Sequence, residues 1–592
     1  MLKIPRQYWE ATSQKIAWGH WFAFFNIVCA ILIGSRYAFI ADWPNTLIGK
    51  IYFFLNILGH FSFIVFALYL LILFPLSFLI KNPYSLRAVG VVLSTLGLTL
   101  LLLDTEIFNR FHLHLSFLVW DILINPDNGD LARNWERFFV PMPLIFLIVM
   151  LFSRWSWDKL RSLERKKWIR KVAYGLMFCF IASHLLYAWA DAYFYRPITV
   201  QKANLPLSYP MTARTFLEKN QLLNRDTYLD RIANSGRADA PYLDYPKQPL
   251  RYADRADRAD KAAMQNILLI NISGLRHDAI TPADMPSLTA FAANSLDFKN
   301  NYSGGNNPNM ALVSLFYGLN ANYFDSLLNQ REQSVWIERM QQLDYQFGLF
   351  VTAPFKSPLY NRALFQQQAL NFNGLNQQST QQWLAWHRQQ NQQTWFSYLQ
   401  YDLLGAMAAF AKQDPEAQQQ YYRLQLQEID RQLRQILAEL SPDELAKTVV
   451  VITADQGYSY QPQNNRDNNY FGRDRIQVPL LIALPNQAPR QIEQISSQMD
   501  IVPTLMQQLF QVQNPQRDYS QGHDLLNSTS DDWVFVANQR WNVVVADDGT
   551  QYQIDSQGEY REYNAQYQQV NSEKPPLALF LQMFNRDRNF LD

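Results

Sequence analysis

The amino-acid sequence predicts a membrane α-helical bundle of five spans followed by a soluble α/β domain. Apolar residues are concentrated before Asp191, in segments that approach the ~20 residues needed to cross a ~30 Å hydrocarbon core. After Asn266, short apolar runs alternate with helical stretches, which is typical of βαβ units around a mostly parallel sheet. The averages of 17% charged and 48% hydrophobic residues hide this division, and a chain of 592 residues is long enough for several domains.

Five apolar segments form the predicted spans. They are Ala17–Ala41, Ile51–Ile80, Leu86–Leu103, Phe138–Phe152 and Trp168–Ala190. The fourth segment is the weakest, because Pro141 and Pro143 interrupt its start. We expect no cleavable signal peptide, since the first segment is too long for the apolar core of one and lacks a small-residue cleavage site.

Lys and Arg residues set the predicted orientation of the spans. The N-terminal tail and the loop between the fourth and fifth spans are basic, whereas the loop between the third and fourth spans is mainly acidic. The basic positions are Lys3, Arg6 and Lys15 in the tail and Arg154, Lys159, Arg161, Arg165, Lys166, Lys167, Arg170 and Lys171 in the loop. Five spans then place the N-terminus in the cytoplasm and the C-terminal domain on the far side. The predicted boundaries are residues 1–191 for the transmembrane domain, 192–265 for a connector and 266–592 for the soluble domain.

The connector contains a predicted short helix. Thr212 can cap a helix over Ala213–Lys219, which follows the last span closely and should lie near the membrane surface. An exposed helix N-terminus beside Arg214 is suited to an anion, and the alternative is an interfacial amphipathic helix. The charged repeat Asp254–Lys261 is predicted to be a solvated linker or a short helix.

Five strands and six helices are predicted in the soluble domain. The strands are Asn266–Ser273, Gln346–Thr352, Thr394–Tyr401, Thr448–Ala454 and Val478–Leu484. The helices are Met285–Ser295, Ala311–Gly318, Ser334–Leu343, Ser379–Gln390, Ala417–Leu440 and Asp500–Phe510.

Four motifs resemble the alkaline phosphatase/sulfatase superfamily in order and spacing. They are Asn-Ile-Leu-Leu-Ile-Asn-Ile-Ser-Gly-Leu-Arg at Asn266–Arg276, Val-Ile-Thr-Ala-Asp-Gln-Gly at Val451–Gly457, Gln-Val-Pro-Leu-Leu-Ile at Gln477–Ile482 and Met-Asp-Ile-Val-Pro-Thr-Leu at Met499–Leu505. The resemblance covers Asn266 to Asn527. It implies that the soluble domain is an α/β periplasmic domain of the alkaline phosphatase/sulfatase type.

Further segments, spread over nearly the whole chain, resemble the YejM/PbgA family of Gram-negative inner-membrane proteins. The matching runs are Trp18–Ile27, Ile33–Tyr37, Gly59–Phe63, Arg110–His114, Phe194–Thr199 and Asn204–Arg214. The architecture of five spans before such a domain is also similar to phosphoethanolamine transferases and lipoteichoic acid synthases. The family resemblance implies the Gram-negative inner membrane, with the N-terminus cytoplasmic and the C-terminal domain periplasmic.

The catalytic positions of the superfamily carry different residues in this chain. Active members hold one or two divalent metals with Asp and His side chains, and the metals align a hydroxyl nucleophile. Ser273 stands where the resemblance places an Asp ligand, and Asn307 and Pro308 stand where it places the nucleophile. Ser303 is the nearest hydroxyl, but it lies several residues early.

The remaining ligand motifs are also altered. Asp455-Gln456-Gly457 keeps the Asp and loses the His, and the last His ligand is replaced by Arg473-Asp474-Arg475. Neutral amides and hydroxyls hold Zn or Mn weakly in water. We therefore expect no catalytic residue among Ser273, Asn307, Asp455, Gln456 and Arg473, and no cofactor beyond at most one weakly held divalent cation. Arg473 and Arg475 are predicted either to bind an anion or to lie in a solvated loop.

The family resemblance implies a regulatory function. Such proteins bind lipopolysaccharide through lipid A on the outer face of the inner membrane. They restrain the adaptor and membrane protease that degrade the committed lipid A deacetylase, and they have been proposed to bind or move cardiolipin. In the family the lipid A contact matches Tyr209–Glu218, so the expected lipid-binding residues are Tyr209, Met211, Thr212, Ala213, Arg214, Thr215 and Phe216. The family pattern has an Arg at Thr215, so backbone amides, Arg214 and the Thr hydroxyls should carry more of the phosphate recognition.

Three functions stay open at this point. The leading hypothesis is a non-catalytic regulator of lipopolysaccharide synthesis that senses lipid A. The second is a metal-dependent phosphatase or phospholipid headgroup transferase that uses Asp455, and the third is a cardiolipin binding or transport protein. The expected partners are lipopolysaccharide or its lipid A part, cardiolipin and the transmembrane adaptor of the protease; we expect no nucleic-acid partner.

Overall fold

The structure is a computed structural model that describes most of the chain in two compact units. The described residues are 6–41, 43–111, 114–116, 119–120, 139–164, 168–253, 264–352, 357–390, 393–461, 464, 467–527, 531–555, 559–570 and 576–591. The membrane unit comprises residues 1–230 and 238–240, and the soluble unit comprises residues 231–237 and 241–592. The predicted charged linker Asp254–Lys261 lies outside the described residues.

Five long apolar helices build the membrane unit. They are α1 (Arg6–Gly34), α2 (Leu47–Leu68), α3 (Pro83–Phe111), α4 (Met142–Asp158) and α5 (Trp168–Tyr193). Two short helices follow in the connector, α6 (Arg214–Lys219) and α7 (Arg225–Ser235). Further short helices are Tyr37–Ile40, Phe74–Leu79, Leu160–Glu164 and Arg196–Thr199, and a π-helical turn, Tyr69–Leu73, continues α2.

Four of these helical segments are long and apolar enough to cross a membrane. They are Trp9–Ile40, Leu47–Leu79, Pro83–Arg110 and Trp168–Tyr193. The predicted fourth span corresponds to α4, which has 17 residues and begins only at Met142, because Pro141 precedes the helix and Pro143 lies in its first turn. At ~1.5 Å per residue α4 is about 25 Å long, slightly less than the hydrocarbon core. The predicted fourth span, and with it the total of five, therefore stays a prediction.

Aromatic and small residues join the helices of the membrane unit. Phe25 of α1 stacks on Phe152 of α4 with ring centroids 3.9 Å apart, so α4 packs against α1. A Cβ atom on Gly59 of α2 would lie 2.5 Å from the Cα atom of Phe180 in α5. A glycine is required there, because only a small residue lets two membrane helices approach so closely.

A parallel sheet forms the centre of the soluble unit. Its eight strands lie in the order β5-β4-β6-β1-β7-β8-β2-β9, and β4, β6, β1 and β7 run parallel. The bounds are β1 (Asn266–Ser273), β2 (Leu296–Phe298), β3 (Asn301–Tyr302), β4 (Gln346–Thr352), β5 (Leu370–Asn373), β6 (Trp395–Asp402), β7 (Thr448–Thr453), β8 (Leu480–Ala483), β9 (Arg490–Ile492) and β10 (Ser496–Ser497). Helices cover both faces, so Ile267 to Ile270 of β1 are fully buried, as is typical of parallel sheets.

The helices of the soluble unit follow the predicted pattern. They are Pro286–Ala293, Pro308–Tyr317, Phe324–Gln330, Val335–Gln342, Asn376–His387, Leu404–Ala408, Pro415–Glu439, Pro442–Leu445, Arg473–Ile476, Ile501–Gln508 and Leu577–Asp587. All five predicted strands and six predicted helices are confirmed, with ends displaced by a few residues. A second, antiparallel sheet was not predicted; its strands are β11 (Trp533–Ala537), β12 (Trp541–Ala546), β13 (Gln551–Asp555), β14 (Tyr560–Tyr563) and β15 (Gln569–Val570).

Candidate functional site

The carboxyl ends of β1 and β7 bring the superfamily's catalytic positions together. Asn271 of β1 is in register with Thr453 of β7, and its Nδ2 atom donates to Asp455 Oδ2 at 3.3 Å. The carboxyl edge of an open α/β sheet is where such folds place their ligands. We call Asn271, Ser273, Asp455 and Gln456 the Asp455 site.

Asp455 lies at the centre of this site and is fully buried. Burial raises the pKa of its carboxyl group to about 7, and hydrogen bonds from neighbouring groups, including Asn271, only partly oppose the rise. Near neutral pH a large fraction of the carboxyl groups is therefore protonated.

The nucleophile position holds groups that stabilise the local backbone. Asn307 precedes the helix Pro308–Tyr317, and its Oδ1 atom accepts from the backbone nitrogen of Met310 at 3.2 Å, which makes it the N-cap. Ser303 lies beside the site, where its hydroxyl group donates to the carbonyl oxygen of Asp455 at 2.6 Å. Both side chains hold the loop and helix in place.

Arg473 and Arg475 belong to a short helix, Arg473–Ile476, so the prediction of a solvated loop is wrong. Arg475 is only 5% exposed, because its guanidinium group donates to the carbonyl oxygen of Asp467 at 2.7 Å. Burial lowers the pKa of Arg475. Arg473 Nε donates to Gln477 Oε1 at 2.9 Å, so both guanidinium groups already have protein partners.

Gly457, the last residue of the altered Asp-Gln-Gly motif, lies where there is no space for a side chain. Its backbone nitrogen donates to the carbonyl oxygen of Arg475 at 2.7 Å. A Cβ atom at this position would lie 2.2 Å from the carbonyl oxygen of Asp474. The glycine is therefore needed for the close approach of two backbone segments, independently of any chemistry.

The donor set of the Asp455 site does not fit the metals that active superfamily members hold. Among the residues that the structure describes, no group of three His, Cys, Asp or Glu side chains could hold a metal ion. The buried oxygen atoms without a hydrogen-bond partner in the site are Asn271 Oδ1, Ser273 Oγ, Asp455 Oδ1 and Gln456 Oε1. They comprise one carboxyl group and three neutral groups, which bind Zn or Mn weakly.

The connector of the membrane unit forms a second candidate site around Arg214. Its Nε and Nη2 atoms donate to both carboxylate oxygens of Asp191, at 2.7 and 2.6 Å, and the guanidinium lies 4.9 Å from the ring centroid of Tyr228. The hydrogen bonds to Asp191 raise the pKa of Arg214 above its ordinary value. Arg214 thus remains charged and attaches α6 to the end of α5.

Thr212 does not cap α6, and this prediction is wrong. The helix begins at Arg214, and Ala213, which has no side-chain acceptor, occupies the N-cap position. The segment is fixed instead from the membrane helices. The backbone nitrogen of Met211 donates to His184 Nδ1 at 3.0 Å, and His60 Nε2 lies 2.7 Å from the carbonyl oxygen of Pro206.

The predicted lipid-binding residues form one continuous stretch with outward side chains. Tyr209 is 83% exposed and Phe216 is 65% exposed. Met211, Thr212 and Thr215 are exposed as well, whereas Ala213 is half-buried. Large apolar side chains exposed next to a membrane span are typical of segments that lie in the lipid interface.

A cavity of about 250 Å³ lies between α2, α5 and the connector. Its polar wall includes Asn56, His60, Ser183 and His184, and Tyr209 closes one side. Sequence reasoning missed the role of Asp191, which it treated only as a domain boundary. The available signal was a carboxylate at the end of an apolar segment followed by an arginine in the connector.

Two family models match the chain. The model described as Domain of unknown function (DUF3413) matches residues 5–252, and the Sulfatase model matches residues 274–512. An uncharacterized protein of Haemophilus influenzae is 49% identical over 99% of this chain and 98% of its own length. The inner membrane protein YejM of Salmonella typhimurium is 40% identical over the whole of both chains.

Solved structures are also similar to part of the chain. The phosphonate monoester hydrolase of Agrobacterium radiobacter has 14% identity and a TM-score of 0.42, covering 54% of this chain and 94% of that one. A protein of the alkaline phosphatase superfamily from Vibrio parahaemolyticus has 11% identity and a TM-score of 0.43, covering 56% and 89%. Together with the apolar helices and the sulfatase-type α/β unit, the full-length 40% identity shows that this chain belongs to the YejM family of inner membrane proteins.

Proposed function

We propose that the protein is a non-catalytic regulator of lipopolysaccharide synthesis that senses lipid A at the periplasmic leaflet. Through a membrane adaptor it controls proteolysis of the committed lipid A deacetylase. The observation that supports this function most is the connector, which places exposed apolar side chains next to the charged Arg214. A lipid with anionic phosphates and acyl chains offers the complementary chemistry.

The ion pair of Arg214 suggests how lipid binding is detected. A phosphate group competes with Asp191 for the guanidinium, since both accept paired hydrogen bonds from the N–H groups along its edge. The Asp191 side chain is only 7% exposed, so losing its cation leaves a buried carboxylate unpaired and costs free energy. Binding of a phosphate at Arg214 is therefore coupled to a rearrangement at the end of α5.

This function requires the connector to face the periplasm and the spans to face the adaptor. The charge distribution supports that orientation, because the basic N-terminal tail and the basic loop before α5 favour the cytoplasmic side. The lipid signal then passes from the connector to α5, and from the membrane helices to the adaptor. Thr215 contributes a neutral hydroxyl where the family has a second guanidinium.

The phosphatase or transferase alternative receives less support from the Asp455 site. It requires ligands that hold a divalent metal, and the site offers one buried carboxyl group with a raised pKa and neutral oxygens. Cardiolipin is a second anionic candidate ligand for the connector, because its phosphates accept hydrogen bonds from the same guanidinium group. The test therefore includes it as a competing lipid.

The test compares two charge reversals on α6 in full-length protein embedded in lipid nanodiscs. Arg214→Glu should weaken lipid A binding by at least about tenfold, because it replaces the phosphate's cation with an anion. Lys219→Glu makes the same charge change on an exposed residue at the other end of the helix and should leave binding nearly unchanged. Equal binding by wild type and Arg214→Glu would remove the connector from the mechanism, and preferential displacement by cardiolipin would identify that lipid as the ligand.

A further inference from the structure

A histidine on α5 attaches the connector to the membrane helices. The backbone nitrogen of Met211 donates to His184 Nδ1 at 3.0 Å. A backbone N–H group can only donate, so Nδ1 presents its lone pair and the proton of the neutral ring is on Nε2. The bond therefore forms only with this neutral tautomer, and protonation of His184 removes the acceptor.

A second histidine, His60 of α2, holds the same segment in the opposite sense. Its Nε2 atom lies 2.7 Å from the carbonyl oxygen of Pro206. A carbonyl oxygen can only accept, so the ring donates from Nε2. A further proton on Nδ1 of His60 leaves that bond in place. Protonation of both rings thus breaks the bond at Met211 and keeps the one at Pro206.

The segment before α6 depends on these two bonds. Both hydrogen bonds that the structure describes between residues 205–212 and the membrane helices end on a histidine. Residues 208–213 form no helix or strand that could hold them otherwise. The segment is therefore fixed at Pro206, at Met211 and, where α6 begins, by the ion pair of Arg214.

Protons can reach both rings through the cavity between α2, α5 and the connector. His60 and His184 lie in its walls, and Tyr209 closes one side. The volume of about 250 Å³ is enough for several water molecules. The polar groups of Asn56 and Ser183 line the same space and can bind such water.

The charges around His184 do not stabilise a protonated ring. The other titratable groups in the cavity walls are His60 and Tyr52 of α2 and Tyr209 of the connector. Among the described residues that line the cavity there is no Asp, Glu, Lys or Arg. Further along α5, Asp191 is already paired with Arg214, and beyond His60 the imidazole of His114 is paired with Asp104. A positive charge on His184 therefore has no free carboxylate beside it.

We propose that His184 is a pH-sensitive latch for the connector. The neutral ring holds Met211 against α5. In the protonated ring both nitrogen atoms carry N–H groups, so two donors face each other and the bond to Met211 is lost. Histidine changes its charge between about pH 5 and pH 8, so the latch is closed at the upper end of this range and opens as the pH falls.

Opening of the latch frees one part of the connector. Residues 208–213 leave α5, while Pro206 and Arg214 stay attached at the two ends. The exposed Tyr209 then no longer closes the cavity. Acidification thereby releases the stretch that carries the connector's exposed apolar side chains. The proposal concerns the attachment of this stretch and does not depend on lipid A binding.

Hydrogen–deuterium exchange of the Met211 amide tests the latch in full-length protein in nanodiscs. Exchange is measured at about pH 5 and about pH 8 by mass spectrometry of overlapping peptides. Each rate is divided by the rate of an unstructured peptide of the same sequence at the same pH. The protection of Met211 in wild type should be lower at the acidic pH by about tenfold, which corresponds to one lost hydrogen bond.

Two replacements by neutral amides are matched to the two rings. In His184→Asn the amide oxygen takes the place of Nδ1, so it should accept from Met211 at both pH values and the pH dependence should disappear. In His60→Gln the amide nitrogen takes the place of Nε2, so the pH dependence at Met211 should stay as in wild type. His184→Phe has no acceptor and should leave Met211 weakly protected at both pH values.

Equal protection of Met211 in wild type at both pH values would overturn the proposal. So would a pH dependence that persists in His184→Asn, or a simultaneous loss of protection in α2, because the helix bundle as a whole would then open. If His184→Asn does not yield folded protein, His184→Gln supplies a neutral acceptor on a side chain one methylene longer, with the same expected result.

Discussion

The Asp455 site and the connector differ in the charge state that their surroundings favour. At Asp455, burial raises the pKa of the carboxyl group to about 7 and favours the neutral form. At Arg214, the paired hydrogen bonds to Asp191 further raise the pKa of a guanidinium group that is charged at neutral pH in any environment. The first site has the position of a catalytic centre without its ligands, whereas the second has a retained charge beside exposed apolar side chains. A fold that is shared with enzymes does not by itself imply where a protein's functional site lies.

The prediction with the largest expected effect is that ionisation of Asp455 destabilises the soluble unit at neutral pH. The unfolded chain releases this proton near pH 3.8, and the folded chain keeps it until about pH 7, so stability falls as the pH rises between these values. The difference corresponds to on the order of 4 kcal/mol above pH 7. Asp455→Asn should therefore be more stable than wild type at pH 8 and equally stable near pH 4.

Urea denaturation of the full-length protein, read by proteolysis of the soluble unit, measures this difference. A pH-independent difference between Asp455→Asn and wild type would show that the carboxyl group is ionised in the folded protein. The Asp455 site would then carry a negative charge at neutral pH, and its contrast with the charged connector would no longer hold.

A second prediction tests whether the Asp455 motif is maintained by packing. Gly457→Ala should destabilise the soluble unit by about 3 kcal/mol, because its Cβ atom would overlap the carbonyl oxygen of Asp474. At Gly374 a Cβ atom meets only Gln378 Oε1 at 3.7 Å, so Gly374→Ala should stay within about 1 kcal/mol of wild type. The same urea series measures both variants, and equal stabilities would refute the steric explanation.

The third prediction sharpens the account of the connector. Asp191→Asn removes the carboxylate that competes with phosphate for Arg214. Lipid A binding should tighten about fivefold, equivalent to about 1 kcal/mol. Titration of lipid A into protein-containing nanodiscs measures the change. Weaker binding would mean that Asp191 orients Arg214 for the ligand instead of competing with it.

The smallest effect concerns the position where this chain departs from the family pattern. Thr215→Arg adds a guanidinium on an exposed face of α6, and an exposed ion pair contributes less than about 1 kcal/mol. Lipid A should bind about two- to fourfold more tightly, and the gain should shrink at high salt. Thr215→Gln, which is long but neutral, is the control. A gain that does not depend on salt would indicate an apolar contribution.

The sequence was most informative where patterns are repetitive or specific. The patterns of β1 and β4 predicted their bounds without error. Sequence patterns failed where contacts between different elements determine the local conformation. The N-terminus of α6 is fixed by Asp191 and His184 rather than by Thr212, and Arg475 is buried where its guanidinium donates to the backbone carbonyl of Asp467.

The antiparallel sheet β11–β15 was missed although part of its signal was available. Polar and apolar residues are mixed in β13 to β15, but β11 (Trp-Val-Phe-Val-Ala) and β12 (Trp-Asn-Val-Val-Val-Ala) carry apolar runs comparable to that of β7. Strand pairing across turns completes the hydrogen bonds of these segments, and single-segment patterns do not show such pairing.

The dissociation constant of lipid A, measured for wild type, Arg214→Glu and Asp455→Ala in the same nanodiscs, distinguishes a ligand site in the connector from one in the soluble unit. We expect Arg214→Glu to lose at least about tenfold in affinity and Asp455→Ala to stay within about twofold of wild type. Loss of lipid A binding in Asp455→Ala with full binding in Arg214→Glu would contradict this expectation, because the ligand site would then lie in the soluble unit and not in the connector.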